Sequence, residues 1–371
     1  MKFLIVTLAP TLKKTEGYYS YGPYVNEMNI WNKHVNELAI VSPISYSKKL
    51  LLTRFKRNPK VFSIHSLNFS SLNTFVKSVF FLPSILFTIY RGMKWADHIH
   101  LRCPGNIGLL GCLVQILFPN TPKTVKYAGN WDPKSKQPLS YKLQQWILRN
   151  TLLTKKCKVL VYGDWKESSK NIIPFFTASY FENEKEPIED KKLNTQINFL
   201  FVGTLSEGKQ PLISIKVVNE LLSKGYKVKL DMYGEGSERN CVEQYIEKHN
   251  LQEIVFLHGN QPKNIIKKAY KKAHFLVFIS KSEGWPKVLA EAMFWKCLPI
   301  STAVSCVPDM LANGERGSLV STEINEIVNE IELYLKDDQL YLTKAQKAFD
   351  WSRTYTLEKF ENEIKKLLFE S

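Results

Sequence analysis

The sequence predicts an α/β protein made of two doubly wound, Rossmann-like domains. Three observations predict this fold class. The chain has 371 residues, enough for two domains that each bury a core. In each half, short apolar runs alternate with longer amphipathic segments, as in an open parallel sheet with right-handed crossovers. A polar, acidic stretch at residues 181–196 contains Pro187 and little that could pack, which indicates a linker.

The first half, residues 1–180, is interpreted as one domain. Helical spacing of apolar residues is clearest at residues 107–117 and 140–153. Apolar runs between and around these helices predict six strands, at residues 3–8, 37–42, 61–67, 98–102, 124–128 and 158–162.

The pattern restarts after the linker, and residues 197–350 are interpreted as a second domain. Its predicted strands are residues 197–202, 227–233, 255–257, 274–279 and 298–302. Its predicted helices, with the last one of the chain, are residues 211–224, 237–250, 263–273, 323–336 and 357–369.

The charge is distributed unevenly between the halves. Residues 1–180 carry 25 Lys and Arg against 7 Asp and Glu, a net charge of +18. Residues 181–371 carry 26 against 28, a net charge of −2. A strongly basic half indicates an anionic partner, and both nucleic acid and an anionic membrane leaflet fit that description. A merely solvated basic surface is the alternative.

Other features point to the cytoplasm. Six scattered cysteines without a Cys-x-x-Cys pair indicate neither a disulfide framework nor a zinc site, and they suit a reducing compartment. The apolar start of the chain is brief and lacks a small-residue cleavage pattern, so a first buried strand is expected rather than a signal segment.

The longest apolar run, residues 79–90, has two interpretations. Pro83 interrupts it and it is shorter than the about 20 residues of a spanning helix, so no transmembrane segment is expected. With Lys77, Arg91 and Lys94 at its flanks, it could dip into an anionic membrane surface, which would make the protein peripheral at the inner face of the membrane. It could equally be a buried helix of the first domain.

The most informative stretch is residues 280–291, which read SKSEGWPKVLAE. A predicted strand leads into a short loop, and Pro286 stands where a first helical position is expected. Free backbone N–H groups at such a helix start form an anion site. Glu283 and Glu291 flank that site and would repel phosphate, so neutral sugar and ribose hydroxyls are the ligands they suit. Solvated glutamates on a helix face are the simpler alternative.

A second candidate loop, residues 201–211, reads FVGTLSEGKQP. Gly203 follows a predicted buried strand, Lys209 lies further along the loop, and Pro211 opens a helix. Glycines let the backbone approach a phosphate closely, and a lysine ammonium can neutralise a leaving diphosphate. An ordinary strand-to-helix turn with a surface lysine is the alternative.

With these motifs the chain resembles family 4 of the retaining glycosyltransferases, the "glycosyl transferases group 1", which have the GT-B fold and carry Glu-x7-Glu in this setting. The resemblance implies two Rossmann-like domains facing a cleft, with residues 351–371 packing back on the first domain. It implies transfer of a sugar from a nucleotide diphosphate sugar of the UDP or GDP type. The acceptor would be a glycan or a lipid-linked glycan, in the synthesis of cell-surface polysaccharide or glycoconjugates.

The resemblance also implies roles for residues of the second domain. Glu291 would hold the ribose hydroxyls, Glu283 the hydroxyls of the donor sugar, and Lys209 would neutralise charge on the leaving diphosphate, which makes Glu283 and Lys209 the catalytic candidates. The donor-binding candidates, all at predicted strand ends or the helix start, are Gly203, Thr204, Lys209, Tyr233, Gly234, His258, Gly259, Glu283, Gly284, Trp285, Pro286, Lys287, Val288, Leu289 and Glu291.

The sequence departs from the family pattern at two places. Thr204 stands where the family usually has an arginine, so another cation, such as Arg102 or Lys126, would have to compensate. Asn130 stands near the position of a histidine that many members have after the strand at residues 124–128.

The acceptor-side candidates lie in the first domain. Gly22 and Pro23 stand where the family has a glycine-rich turn, and Arg102, Asn106 and Asn130 follow predicted strands. His98 and His100 alternate along a strand without a carboxylate at metal-ligand spacing, so they are interpreted as structural.

No metal is expected, because the sequence contains no Asp-x-Asp triplet to hold a divalent ion on a diphosphate. Lysine and helix amides would stabilise the leaving group instead. Two other functions remain open: a nucleotide-sugar epimerase of the same fold, and a non-catalytic nucleic-acid-binding protein. No motif beyond charge supports the second, so no nucleic acid is expected.

Overall fold

A computed structural model describes residues 1–45, 51–67, 71–165, 169–193 and 196–370. The chain divides into two units. The first consists of Met1–Phe175 with Glu361–Ser371, and the second is Phe176–Phe360.

A seven-stranded parallel sheet forms the centre of the first unit. β1 lies between β7 and β4, and the complete order is β10-β9-β8-β7-β1-β4-β6. Its inner strands β1, β4, β7, β8 and β9 are largely buried on both faces, as expected for a parallel sheet covered by helices. The strands are β1 (Lys2–Val6), β4 (Glu37–Pro43), β6 (Lys60–Ile64), β7 (His98–Cys103), β8 (Lys123–Tyr127), β9 (Cys157–Val161) and β10 (Ile172–Pro174).

A small antiparallel sheet and four helices complete the first unit up to residue 175. The small sheet has the order β2-β3-β5 and consists of β2 (Leu12–Lys14), β3 (Gly17–Tyr21) and β5 (Leu52–Arg54). The helices are α1 (Gly22–Asn32), α2 (Leu72–Trp95), α3 (Asn106–Val114) and α4 (Leu139–Arg149).

The second unit has a six-stranded parallel sheet in the order β13-β12-β11-β14-β15-β16. Its strands are β11 (Ile197–Val202), β12 (Val228–Tyr233), β13 (Val255–Leu257), β14 (Phe275–Phe278), β15 (Leu298–Thr302) and β16 (Ser318–Val320). Its helices are α5 (Pro211–Ser223), α6 (Arg239–Lys248), α7 (Lys263–Lys272), α8 (Lys287–Phe294), α9 (Val307–Met310), α10 (Ile324–Lys336) and α11 (Asp338–Ser352); α12 (Leu357–Phe369) ends the chain.

The predicted alternation of strands and helices is confirmed in both units, because the long apolar runs are the strands of the two parallel sheets. The small sheet, β10, β16, α1, α9 and α11 were not predicted. The strands of the small sheet are only three to five residues long and mostly polar, so their hydrophobic pattern is weak.

Gly22 and Pro23, which stand where the family has a glycine-rich turn, lie at the start of a helix. These residues are the first two of α1, where a proline costs no hydrogen bond and its fixed φ suits a helix. They follow the small sheet rather than the carboxyl end of a strand in the seven-stranded sheet.

The expectation that Pro83 interrupts the apolar run is wrong. α2 is 24 residues long and includes Pro83. By length and composition alone, Thr74–Trp95 would suffice to cross a membrane, a criterion that core helices also meet. In the most apolar 18-residue stretch of this helix, 22% is buried. The interpretation as a buried helix therefore holds for one face only.

Candidate functional site

The start of α8 lies at the carboxyl end of β14, with a short loop between them. The helix begins at Lys287, so Pro286 is its N-cap residue and not its first helical residue. No described side chain caps this helix start, which leaves its first amides for a ligand. The Gly284 carbonyl accepts hydrogen bonds from Ser305 Oγ at 3.2 Å and from Cys306 Sγ at 3.1 Å, and these bonds fix the loop.

Lys209 and Glu283, the two catalytic candidates, form an ion pair with each other. Lys209 ends a 3₁₀ turn, Glu207–Lys209, that follows β11, and its Nζ also lies 4.8 Å from the centroid of the Phe278 ring. The ammonium and the carboxylate neutralise each other in this arrangement. A ligand diphosphate that binds Lys209 must therefore share it with Glu283 or displace it.

Backbone contacts hold the Lys209 turn against the loop that carries Glu283. The Lys281 amide donates to the Gly208 carbonyl at 2.9 Å, and Ser280 Oγ donates to the same oxygen at 3.1 Å. A second ion pair, between Lys281 and Glu207, joins the loops at their exposed side. Because β11 and β14 are neighbours in the sheet, residues 74 positions apart in the sequence meet here.

Glu291, in the middle of α8, accepts hydrogen bonds from two hydroxyl groups. Ser179 Oγ donates to its Oε1 at 2.5 Å, and Tyr270 OH donates to its Oε2 at 3.2 Å. Burial, with the nearby Glu291 charge, raises the pKa of Tyr270 well above its usual value, so the phenol stays protonated. Glu291 thus already binds hydroxyls. No described hydrogen bond or ion pair joins it to Glu283.

Three glycines bring the ends of β11, β12 and β13 together. Gly203 N donates to the Tyr233 carbonyl and Gly234 N to the Gly259 carbonyl, both at 2.9 Å. Gly234 has φ +139°, and a Cβ there would lie 1.8 Å from the Gly203 carbonyl oxygen. Only glycine fits at such an approach. Thr204, next to this cluster, is exposed.

Tyr233 and His258 are packed against each other beside these glycines. Their rings stack with centroids 4.5 Å apart and an angle of 15° between the planes. His258 Nε2 lies 2.7 Å from Asp231 Oδ1, within hydrogen-bond distance. These contacts account for His258 structurally, and they also leave a flat aromatic pair at the sheet edge.

The other donor-side candidates lie around the same loop. Trp285 stacks at 6.4 Å on Trp351, and its centroid is 6.0 Å from that of Tyr355. Leu289 is buried, and Lys287 and Val288 are partly exposed in the first turn of α8. The second unit therefore assembles its predicted donor residues at the carboxyl ends of four strands, β11 to β14.

In the first unit, Arg102 at the end of β7 forms an ion pair with Glu27 on α1 at 2.5 Å. Its guanidinium lies 5.6 Å from the centroid of the Tyr24 ring. Burial lowers the pKa of Arg102, but the charge and hydrogen bond of Glu27, together with Tyr162 and Tyr24, outweigh burial, and the pKa lies above its usual value. Arg102 is thus held by Glu27, a residue that the sequence reasoning missed.

Asn106 and Asn130 also lie at strand ends of the first unit. Asn106 is the first residue of α3, and Asn130 follows β8, which neighbours β7. Asn130 Oδ1 accepts from the Asp132 amide at 2.9 Å, so the side chain stabilises its own turn.

The two strand histidines have structural partners. His98 Nε2 and His100 Nδ1 lie 3.0 Å and 2.9 Å from Thr124 Oγ1. Burial lowers the pKa of His98 to about 4 and that of His100 well below its usual value, so both are neutral. Among the described residues no group of three His, Cys, Asp or Glu could hold a metal ion.

Two partners of Glu291, Ser179 and Tyr270, were also missed. Ser179 is 112 positions from Glu291, and no local pattern connects them. The division of the chain places Ser179 in the second unit.

Comparison with known proteins identifies a family match within the second unit. Residues 182–351 match the sequence model of the family Glycosyl transferases group 1. One relative is the capsular polysaccharide biosynthesis glycosyltransferase CapM of Staphylococcus aureus. It is 27% identical to this chain over 197 residues, and the match covers 50% of this chain and 51% of CapM. The chain spans about half the length of the curated relatives it matches.

Solved structures are similar over the whole chain. Sucrose-phosphate synthase from Thermosynechococcus elongatus has a TM-score of 0.69 at 15% identity and covers 100% of this chain and 98% of its own. HepE of Anabaena, in complex with UDP and glucose, has a TM-score of 0.68 at 15% identity, with 99% of each chain covered. This chain has the two-domain α/β fold of the GT-B glycosyltransferases, and the predicted fold class is confirmed.

Proposed function

We propose that this protein is a retaining, metal-independent glycosyltransferase of family 4, which moves a sugar from a nucleotide diphosphate sugar to a glycan or lipid-linked acceptor. One observation carries the proposal: the Lys209 ammonium and the Glu283 carboxylate meet at the uncapped start of α8. A cation and free amides suit a diphosphate, whereas a carboxylate suits sugar hydroxyls. The family match of residues 182–351 supports the assignment.

The donor would bind along the carboxyl ends of β11 to β14. Amides of residues 284, 285, 287 and 288 cover the sugar and diphosphate, Lys209 neutralises the phosphate, and Glu283 accepts hydrogen bonds from the sugar. Glu291 exchanges the Ser179 or Tyr270 hydroxyl for those of the ribose. The Tyr233–His258 pair offers a flat surface near the base. UDP, which is bound to HepE, is the first nucleotide to test.

Transfer breaks the bond between the anomeric carbon and the diphosphate oxygen, and a bond to the acceptor oxygen forms on the same face. The acceptor proton passes to the departing phosphate oxygen, so no nucleophilic side chain is required. Lys209 and the α8 amides stabilise the charge that develops on that phosphate. This role replaces the metal ion that other transferases place there.

The first unit would receive the acceptor. Arg102, Asn106 and Asn130 lie at the ends of its adjacent strands β7 and β8, and Gly22 and Pro23 open α1. CapM is a capsular polysaccharide biosynthesis glycosyltransferase, and the likeness to it supports an acceptor from polysaccharide synthesis. We expect this acceptor at the cytoplasmic side of the membrane.

The purified protein is first titrated with UDP, GDP and ADP, and donor sugars of the tightest-binding nucleotide are then incubated with it. We expect slow donor hydrolysis without acceptor and transfer with a glycan acceptor, and nuclear magnetic resonance of the early product shows whether the anomeric configuration is kept. An inverted product contradicts the retaining mechanism. Epimerised sugar in the absence of acceptor would show the alternative enzyme class.

A further inference from the structure

α2 has one face in the core and one in solvent. Ile85, Ile89 and Met93 are buried against the seven-stranded sheet. On the opposite side of the helix, Phe80 and Phe87 are 78% and 60% exposed. An exposed helix face of a globular protein is ordinarily polar, so this face lacks the usual solvent-facing residues.

The neighbouring helices continue this apolar exposure. Leu117, in the turn that extends α3, is exposed, and on α4 Leu139 and Trp146 are 84% and 58% exposed, on one side of the helix. α3 packs between α2 and α4, and the inner residues of all three helices belong to one buried cluster. The three helices therefore cover the same face of the sheet. We call nine of their exposed apolar side chains the outer helix surface: Val76, Val79, Phe80, Phe87, Leu113, Leu117, Leu139, Leu143 and Trp146.

Exposed cations surround the outer helix surface. Residues 38–163 contain 19 Lys and Arg but only two acidic residues, Asp97 and Asp132. The helices α2, α3 and α4 carry no acidic residue. The nearby exposed cations, none of which forms an ion pair with another described residue, are Lys77, Arg91, Lys94, Lys136 and Lys142.

We propose that the outer helix surface docks on the surface of an anionic lipid bilayer. Its aromatic and leucine side chains enter the boundary between headgroups and acyl chains, and the surrounding lysines and arginines contact lipid phosphates. Large apolar side chains next to several positive charges match such a surface. Nucleic acid would contact the cations but would leave the apolar side chains without a partner. Docking into the groove of another protein would bury the apolar side chains but would not require so many surrounding cations.

α2 lies on the membrane in this proposal and does not cross it. A spanning helix would have to remove Ile85, Ile89 and Met93 from the core they share with the sheet. Docking also brings a unit proposed to bind a lipid-linked acceptor to the place where such acceptors are found. The docking itself does not depend on the proposed glycosyl transfer, and its test requires no nucleotide sugar.

The test is sedimentation of the full chain with sucrose-loaded vesicles of phosphatidylcholine alone or mixed with phosphatidylglycerol. We expect binding to the anionic vesicles that about 0.5 M salt weakens, and little binding to neutral ones. The double variant Phe80→Ser/Phe87→Ser should lower the partition coefficient at least about tenfold. Arg91→Gln/Lys94→Gln should lower it by a similar factor on anionic vesicles only.

Leu333→Ser is the matched control, because Leu333 is an apolar residue of the second unit that is 52% exposed. It should bind like the original protein, and thermal unfolding should show that all variants are folded. Equal binding by Phe80→Ser/Phe87→Ser, or no binding of the original protein to anionic vesicles, would overturn the proposal. Concentration-dependent dimers without vesicle binding would assign the surface to a second copy, and protein that resists salt and alkaline extraction would assign α2 as a span.

Discussion

The two units have the same kind of sheet, but their surfaces differ in exposed apolar side chains, ion pairs and net charge. Of the 19 large apolar side chains that are exposed among the described residues, all but Phe181 and Leu333 belong to the first unit. Of the 18 ion pairs between described residues, 14 lie in the second unit and four in the first. The excess positive charge also lies in the first half of the chain.

This difference indicates that the units have different partners. In the second unit, carboxylates and lysines balance one another, and its distinctive feature is a local set of groups at strand ends. In the first unit, the distinctive feature is an extended apolar and basic surface. A small ligand with phosphates and hydroxyls suits the former, and an extended anionic surface suits the latter.

The largest effect should come from Lys209. Lys209→Ala removes the cation proposed to stabilise the leaving diphosphate, and we expect kcat/KM for glycosyl transfer to fall by about 100-fold or more. Lys281→Ala is the matched control, because Lys281 forms an ion pair with Glu207 in the adjacent loop but is more exposed. Steady-state kinetics with the preferred donor measures both. Equal losses in the two variants would show a general effect of positive charge.

Gly234→Ala tests the packing of strand ends that supports the site. Its Cβ would lie 1.8 Å from the Gly203 carbonyl oxygen, at a φ of +139°. We expect the free energy of unfolding to fall by about 2–4 kcal/mol in a urea titration. Gly208→Ala provides the comparison, since a Cβ at Gly208 meets no atom within 4 Å. If both variants were equally stable, the strand ends would be less tightly packed than described.

Glu291→Gln should have a smaller effect. The amide keeps one acceptor oxygen but loses the charge that strengthens hydrogen bonds from ribose hydroxyls, so nucleotide affinity should fall about tenfold. Calorimetric titration measures the change. Glu330→Gln is the control, because Glu330 also accepts a hydroxyl hydrogen bond, from Ser318, outside the candidate site. An equal decrease for Glu330→Gln would remove the assigned role of Glu291.

The smallest effect is expected for chelation. If Lys209 and the α8 amides hold the diphosphate, EDTA should leave kcat/KM unchanged within error. The assay compares chelated enzyme with the same enzyme after Mg²⁺ or Mn²⁺ is restored. A loss that the metal reverses would contradict metal independence and would show that Thr204, in place of the usual arginine, is compensated by an ion.

The fold was predictable because parallel strands buried on both faces appear as apolar runs that periodicity detects. Loops at strand ends predict that Lys209 and Glu283 lie on the same edge of a sheet, but their ion pair was not predicted. The pairing of Glu27 with Arg102 and of Ser179 with Glu291 was not predictable, since each pair is distant in sequence and no local pattern connects its members.

α2 shows a different limit of sequence reasoning. An apolar run predicts burial, but it does not tell how much of a helix circumference the sheet covers. Pro83 does not end the helix; it lies within it, on its exposed side. The sequence of residues 79–90 was therefore compatible with both interpretations, and the structure assigns burial to one face and exposure to the other.

The central claim is that the second unit holds a nucleotide diphosphate sugar through Lys209, Glu283 and Glu291. Isothermal titration of the preferred nucleotide diphosphate sugar into the original protein, Lys209→Ala and Glu291→Ala tests it most directly. We expect measurable binding to the original protein and at least about tenfold weaker binding to each variant. Unchanged affinity in both folded variants would contradict the account.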